Sequence, residues 1–463
     1  MPDGVMAVIL AAGEGKRMKS KLPKVMHRLC GRPMLEYVVK AAREAGIEDT
    51  IVVINPEGEM IKEALGEGVQ YVYQRQRLGT GHAVLQAVDK IPPRVKTLLI
   101  LSGDPPTLPP RLLRELLTVH HSRRAAATLV ITRLEDPAGY GRVLRDGAGK
   151  VLGIVEEVDA DPAVKAVQEI NAGVYAFDRR ELFRALKEIR PANVQGEYYL
   201  PDVLGIFCQE GLPVAAVTAA YEEIQGVNNR IQLAAAAEVI RRGILAEVML
   251  GGVTIIDPAS TFIDAGVEIG QDTVLHPFTI IEGASRIAED CSIGPYARLD
   301  GVTVGPGSRI ENSVLVDSKL GAGVRVGPYA YLRPGTVMCE GAKAGTFVEI
   351  KKSTIGKNSK VPHQSYVGDT IMAGDVNIGA GTITCNYDGW DKYETHIEEG
   401  AFIGSNTNLL APVRIGKRAM TGAGSTISKD VPAYGLGLGR ARQVTIPAWV
   451  KKKMGEKGCK VED

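Results

Sequence analysis

From Gly252 onward the chain repeats itself every six residues, and this period restricts the fold more than any other feature. An aliphatic residue followed by glycine recurs at Ile269-Gly270, Ile293-Gly294, Val304-Gly305, Leu320-Gly321, Val326-Gly327, Ile355-Gly356, Val367-Gly368, Ile378-Gly379, Ile403-Gly404 and Ile415-Gly416. The steps from 269 to 293, 320 to 326 and 355 to 367 are 24, 6 and 12 residues, all multiples of six. The steps from 293 to 304 and from 367 to 378 are eleven, each a one-residue slip. One inward aliphatic and one small neighbour per six residues is the pattern of a hexapeptide solenoid. Its short parallel strands stack ~4.8 Å apart around a narrow aliphatic interior. The repeat accounts for 53 glycines in a chain with only 7 Phe and 2 Trp.

The first half has a different texture. Val5–Leu10, Thr50–Ile54, Thr97–Leu101 and Ala127–Thr132 are short apolar runs, and Met34–Ala45 and Arg111–His121 have helical spacing. Strands alternating with helices predict an α/β domain with a largely parallel sheet. Between the halves, Ile231–Leu250 has no proline, one glycine and four consecutive alanines, which predicts one helix roughly 30 Å long. It reads as a rod between two bodies or as a last helix packed on the first domain. The expected boundaries are 1–229, a helical linker 230–250, and 251–463.

Composition removes several classes of function. With 463 residues, 55 Lys plus Arg against 54 Asp plus Glu and a net charge of +1, bulk charge does not make this a polyanion binder. The absence of a run of about 18 apolar residues argues against a membrane-spanning helix. Met1–Leu10 lacks the basic flank of a secretory signal. Six cysteines with no Cys-x-x-Cys pair read as free thiols in a reducing cytoplasm.

Two glycine loops in the first half point to phosphate chemistry. Leu10-Ala11-Ala12-Gly13-Glu14-Gly15-Lys16-Arg17-Met18 follows the first strand, and its glycines admit a phosphate close to the backbone, with a following helix N-terminus expected to favour anions. The third glycine of the dinucleotide fingerprint and the Walker A pattern are both absent. Lys16, Arg17, Lys19, Lys21 and Lys24 add charge. Lys19 and Lys21 read as solvated, whereas the rigid Pro23 aims Lys24 back at the loop. Leu78-Gly79-Thr80-Gly81-His82-Ala83 is a second glycine loop opening a helix, with His82 closing it. Ser102-Gly103-Asp104 ends a strand, where α/β sheets collect ligands. Asp104 is either a Mg²⁺ ligand or a helix cap.

In the second half the repeat breaks where polar residues gather: Tyr331–Gly335, Phe347–Lys352 and Pro362–Tyr366. Between Thr384 and Ile397 the period fails altogether and predicts a loop projecting from the solenoid. Among seven histidines, His120 and His121 end a helix, and His27, His276 and His396 have no chemical partner nearby in sequence. Stacking of coils brings Arg333, Lys351, Tyr366 and Asn377 toward His363, which is therefore either a base or a surface histidine.

Taken together, Leu10 to Met18, Leu22-Pro23-Lys24, Gly79 to Ala83 and Gly103-Asp104 resemble the sugar-nucleotide pyrophosphorylases. Further segments narrow the likeness: Gly139-Tyr140-Gly141-Arg142, Ile154-Val155-Glu156, Glu169-Ile170-Asn171, Gln195 to Tyr199 and Gly226 to Arg230. With the hexapeptide half, nearly the whole chain resembles the bacterial bifunctional N-acetylglucosamine-1-phosphate uridyltransferase and glucosamine-1-phosphate N-acetyltransferase family. That resemblance implies a Rossmann-like nucleotidyltransferase domain joined by the long helix to a left-handed parallel β-helix. It also implies a cytoplasmic homotrimer whose product, UDP-N-acetylglucosamine, feeds peptidoglycan and lipopolysaccharide synthesis.

The resemblance assigns residues as well. In the uridyltransferase, Leu10, Ala11, Ala12 and Gly13 line the UTP site, and Gln74, Gly79 and Thr80 read the uracil. Gly141, Glu156 and Asn171 hold the sugar, Asp104 and Asn228 hold Mg²⁺, and Arg17 and Lys24 neutralise phosphate charge. Ser102, beside Gly103, departs from the tyrosine of many members. In the acetyltransferase, His363 is the base with Glu349 orienting it, and Arg333, Lys351, Tyr366, Asn377 and Lys392 hold the sugar phosphate. Acetyl-CoA runs past Ala380, Asn386, Tyr387, Ser405 and Ala423 to Arg440. Two rivals stand beside this reading. One is a single-activity sugar-1-phosphate nucleotidyltransferase whose β-helix is structural or regulatory, as in relatives that make ADP-glucose. The other is a non-catalytic assembly subunit that kept both folds.

Overall fold

The computed structural model describes residues 4–460, and the chain forms two compact units, Met1–Ala246 and Glu247–Asp463. In the first unit, the apolar runs become the strands Val5–Leu10, Thr50–Ile54, Thr97–Ser102 and Ala127–Arg133. Val5–Leu10 lies in the middle of the sheet, parallel to Thr50–Ile54 on one side and Thr97–Ser102 on the other. Gln70–Tyr73 closes one edge in parallel, and Val214–Thr218 pairs in parallel with Ala127–Arg133 at the other. The sheet is mixed because Glu169–Asp178 runs antiparallel to both its neighbours, Thr97–Ser102 and Ala127–Arg133. The chain reaches that strand from the hairpin Arg142–Arg145 and Val151–Val155 through one four-residue helical turn, Pro162–Lys165.

Helices cover both faces of this sheet, so its strands are apolar on both sides. The helix Met34–Glu44 buries Met34, Leu35, Val38, Val39, Ala41 and Ala42 along one stripe. Pro110–Ser122 does the same with Leu112, Leu113, Leu116 and Leu117. His120 and His121 sit in its last turn, bonded to Thr128 and Thr97. The other quiet histidines also have partners: His27 lies 3.1 Å from Arg230, and His276 the same distance from Ser292.

The long helix spans Arg230–Leu250. Its early turns are packed, not free: Leu233, Ala236, Ala237 and Ile240 close a small core with Met18, Leu29, Met34, Tyr37 and Val227. The division between the units falls inside this helix, after Ala246.

The second unit consists of three parallel sheets of eleven, ten and nine strands, whose successive strands are one coil apart. It is the left-handed β-helix that the hexapeptide pattern implies. Nine of the ten aliphatic residues that precede the repeat glycines are buried inside it, Ile269 in an early coil being half-buried. The glycines are there because the next coil passes close by. A Cβ on Gly379 would lie 2.5 Å from the Ser405 backbone nitrogen, and one on Gly305 would lie 2.5 Å from the Gly321 carbonyl carbon. The coil rhythm breaks once: Lys360 and Asn377 are adjacent rungs 17 residues apart, but the next rung, Phe402, is 25 further on. The extra residues form the expected projection, a tight hairpin in which Tyr387 bridges Lys392 and Asp388 accepts from the Trp390 and Asp391 amides.

Candidate active sites

Above the carboxyl end of the central strand lies a cavity of about 470 Å³. It is lined by Leu10, Ala11, Ala12, Gly13 and Glu14 from the first loop, Gln74, Arg77, Gly79 and Thr80 from the second, and Lys24, Ser102, Asp104 and Glu197. The first loop does not run into an α-helix. It passes through Gly15 at φ 64° into a single 3-10 turn, Lys16–Met18. The expected helix-dipole contribution is therefore absent, because a lone turn has no row of aligned peptides to sum. Side-chain charge takes its place.

That charge is carried by Lys24. Pro23, at φ −52° and ψ 140°, sends the chain into the turn Lys24–Met26, and Lys24 packs on Gly15 so closely that a Cβ there would be 2.6 Å from the Lys24 Cβ. The Lys24 ammonium donates to the Asp104 carboxylate, and to the Asn228 amide oxygen at 3.1 Å. Arg17 donates to the same Asn228 oxygen at 3.0 Å. The Val227 amide donates to the Asp104 carbonyl at 3.0 Å, so segments 123 residues apart in sequence are tied at the backbone too. Asp104 is not a helix cap: the next helix begins at Pro110.

The second glycine loop is built by contact with 197–200. Gly79, at φ 104°, would place a Cβ 2.5 Å from the Tyr198 carbonyl oxygen. The Gly81 amide donates to that carbonyl at 2.8 Å, and the Leu200 amide donates to the Thr80 hydroxyl at 3.0 Å. Gln74 is buried and donates to the Gly79 carbonyl at 3.0 Å, with its amide 3.1 Å from His82 Nδ1. His82 thus closes the loop as its sequence position implied, and burial lowers its pKa.

Gly141, Glu156 and Asn171 form a separate cluster. The Asn171 amide donates to the Gly141 carbonyl at 2.9 Å, and a Cβ on Gly141 would come within 3.1 Å of Glu156 Oε1. The buried Arg142 donates to the Tyr140 carbonyl and steadies this backbone. Burial pushes the Glu156 carboxyl above its ordinary range, and the charges of Asp159 and Asp202 add to the shift. Tyr140, hydrogen-bonded to Tyr221 at 3.1 Å, is raised mainly by burial and also feels Asp104 and Arg17, which links this cluster electrostatically to Lys24.

On the β-helix, Arg333 donates to Glu349 at 3.0 Å. Glu349 is therefore a partner of Arg333, and no hydrogen bond joins it to His363 among the described residues. A carboxylate beside a guanidinium finds its strongest acceptor role there. Lys351 donates to Asp369 at 3.1 Å, and Asn386 donates to the same carboxylate oxygen. Tyr366 pairs in register with Glu349, and its hydroxyl lies over Gly368, where a Cβ would be 2.5 Å away. Ala380, Ser405 and Ala423 are stacked on consecutive coils through Asn406 N to Ala380 O at 2.7 Å and Gly424 N to Ser405 O at 2.8 Å. Arg440 continues the track by donating to the Ala423 carbonyl at 2.8 Å. His363 is exposed at the end of the strand Lys360–His363, three residues before Tyr366.

Comparison with known proteins identifies both halves. Residues 7–228 match the MobA-like NTP transferase domain, and residues 394–429 match the bacterial transferase hexapeptide of six repeats. The chain is 53% identical over 437 residues to the bifunctional protein GlmU of Heliobacterium modesticaldum, covering 94% of this chain and 95% of that protein. It is 53% identical over 452 residues to that of Pelotomaculum thermopropionicum, with 97% and 99% covered. Over 452 residues it is 49% identical to that of Syntrophomonas wolfei, with 95% and 98% covered. The chain belongs to the GlmU family. As a member of it, the protein is a bifunctional enzyme of UDP-N-acetylglucosamine synthesis, with a nucleotidyltransferase and an acyltransferase activity.

Within this GlmU-family chain, ten of the residues expected at the nucleotide line the cavity: Leu10, Ala11, Ala12, Gly13, Lys24, Gln74, Gly79, Thr80, Ser102 and Asp104. Gly103 stands behind it, its amide donating to the Leu10 carbonyl at 3.0 Å. Glu14, Arg77 and Glu197 line it without having been singled out. Arg77 pairs with Glu14 at 2.8 Å, and Lys16 with Glu14 at 2.9 Å. Glu14 and Glu197 stood inside quoted motifs, but Arg77 carried no signal. On the β-helix, Asp369 was missed as well, because it occupies an unremarked corner of the repeat.

Proposed function

We propose that the first unit transfers UMP from UTP to N-acetylglucosamine 1-phosphate and that the second acetylates glucosamine 1-phosphate, each with the residues described above. The observation that supports the first assignment is the convergence of Lys24, Asp104 and Asn228, from three separate segments, at the cavity. Asp104 and Asn228 aim two oxygens at one point, which the Lys24 ammonium fills. A carboxylate and an amide carbonyl converging on a cation form a donor set that suits Mg²⁺. No cluster of three His, Cys, Asp or Glu residues exists among the described residues, so a metal here draws its other ligands from phosphate and water. Bound there, Mg²⁺ would neutralise charge on the nucleotide phosphates.

In the reaction, a sugar 1-phosphate oxygen forms a bond to the α-phosphorus of UTP, and the bond from that phosphorus to the pyrophosphate oxygen breaks. Gly141, Glu156 and Asn171 hold the sugar, while Lys24 and Arg17 offset the charge that leaves with pyrophosphate. Gln74, Gly79 and Thr80 form the pocket wall for uracil, and Ser102 lines the same cavity with Gly103 behind it.

In acetyl transfer, the amine nitrogen of glucosamine 1-phosphate bonds to the thioester carbonyl carbon, and the carbon–sulfur bond breaks. His363 takes one proton from the ammonium so that the free amine can attack, and passes it to solvent; the second proton, which the nitrogen sheds as the carbon–sulfur bond breaks, goes to the CoA thiolate, which leaves as a thiol. Arg333, Lys351, Tyr366, Asn377 and Lys392 hold the sugar phosphate. Acetyl-CoA lies along Ala380, Ser405, Ala423 and Arg440, with Asn386 and Tyr387 at its acyl end. By its membership of the family we place the protein in the cytoplasm as a homotrimer; among the described residues no helix is long and apolar enough to cross a membrane. The functional division is taken as 1–229 for uridylyl transfer and 251–463 for acetylation, joined by 230–250. Incubation with acetyl-CoA and glucosamine 1-phosphate, with no UTP, should consume acetyl-CoA. No consumption would leave the single-activity reading and the non-catalytic subunit, which uridylyl transfer by the same sample would then separate.

A further inference from the structure

Asp369 lies on the β-helix and belongs to none of the assignments above. It sits at a coil corner at φ 46°, where Gly301, Asp317, Gly335 and Lys352 turn earlier coils, also at positive φ. Its backbone is fully engaged: its amide donates to the Lys351 carbonyl at 3.0 Å and its carbonyl accepts from Thr395 at 3.1 Å. For turning the chain, glycine or asparagine serves equally well. The carboxylate is therefore surplus to the fold, yet the residue is only 6% exposed. A buried carboxylate persists where it is paired.

Its partners are the informative part. One carboxylate oxygen accepts from Lys351 Nζ at 3.1 Å and from Asn386 Nδ2, and Lys352 Nζ stands 3.9 Å from the other. Burial pulls the Asp369 carboxyl up, but Asn386 and Lys351 outweigh it and leave it below the ordinary carboxylate range. Lys351 is on the strand Glu349–Lys351, and Asn386 is the buried root of the projecting hairpin. The Tyr393 amide closes that root by donating to the Asn386 carbonyl at 2.9 Å. A single carboxylate thus holds the side chain assigned to the sugar phosphate and the side chain assigned to the acyl end.

We propose that Asp369 is a positioning residue for acetyl transfer, which sets Lys351 and the hairpin root at Asn386 in one mutual geometry and so aligns the two substrates. The proposal rests on the roles given to Lys351 and Asn386. Asp369→Asn preserves size and tolerance for the corner but removes the charge. It should raise KM for both glucosamine 1-phosphate and acetyl-CoA on the order of ten-fold, the scale of a lost charged hydrogen bond. Uridylyl transfer should stay near that of the parent protein, because its residues lie in the other unit. Combined with Lys351→Ala, D369N should add nothing further to KM for the sugar phosphate, and combined with Asn386→Ala nothing further to KM for acetyl-CoA. Asp369→Gly, which keeps a corner the earlier coils already use, should give the same pattern and serves as the readout if the asparagine variant folds poorly. Normal KM values in D369N and D369G, alongside impaired K351A and N386A, would overturn the role of Asp369 alone. Normal K351A and N386A would overturn the site assignment beneath it.

Discussion

At the residue scale, the first site depends on one lysine being held by a proline and admitted by a glycine. The direction of Lys24 was legible in the sequence because Pro23 fixes its own φ and Gly15 stands at the close approach. The role of Asp369 was not legible, because a repeat corner accepts Asp, Asn or Gly alike and only the fold reveals what its carboxylate meets. Glu156 gives a prediction that separates binding from stability. Its carboxyl is raised above the unfolded value by burial and by Asp159 and Asp202, so the ionised form is disfavoured in the folded protein. The penalty is absent below the unfolded pKa of roughly 4.5 and complete once pH has risen through the folded value. Glu156→Gln should therefore raise the melting temperature at neutral pH, with the difference vanishing near pH 4. It should also raise KM for N-acetylglucosamine 1-phosphate. A variant less stable than the parent at neutral pH would contradict the burial account.

At the element scale, strands and long helices were legible almost to the residue: Thr50–Ile54 occurs as read, and the long helix begins one residue early, at Arg230. Strong local periodicity is the reason. The loop after the first strand was misread as opening a helix. Glycine-rich sequence specifies where the chain bends but not how long the next turn continues, and here the turn is stopped by Lys19 in the left-handed region. The antiparallel direction of Glu169–Asp178 was likewise not legible in sequence, since an apolar run looks the same whichever way it crosses the sheet. The solenoid offers a quantitative test. Gly379→Ala puts a methyl group 2.5 Å from the backbone of the next coil. Overpacking of that kind costs about 1–3 kcal/mol. Calorimetry should show a lower melting transition for the second unit, with uridylyl transfer at 25 °C unchanged. An unshifted transition would mean the coils can part at no cost.

On the scale of the whole molecule, the two chemistries belong to two units whose division lies within one helix. The sequence texture located the change, but not that Leu233, Ala236 and Ile240 close a core against Met18, Leu29 and Met34. Alanine-rich helices have no single apolar stripe, so a packed face and a free rod look alike in sequence. A fragment ending at 246 should therefore be soluble and active in uridylyl transfer. One ending at 229, which strips the cover from Met18, Leu29 and Met34, should melt lower or aggregate. Equal melting temperatures for the two fragments would show that the helix contributes nothing to the first unit.

The separation of the two sites is tested most directly by measuring both half-reactions in Asp104→Asn and in His363→Ala. D104N removes one negative charge from the oxygens that converge on Lys24, and should abolish uridylyl transfer while leaving acetylation near normal. H363A should lose acetyl transfer on the order of 10²–10⁴-fold, the scale of a missing proton acceptor. Part of that rate should return as pH rises and more of the amine is deprotonated by solvent, and uridylyl transfer should be untouched. A fall in both activities in either variant with the fold intact, or near-normal acetylation by H363A, would contradict the account.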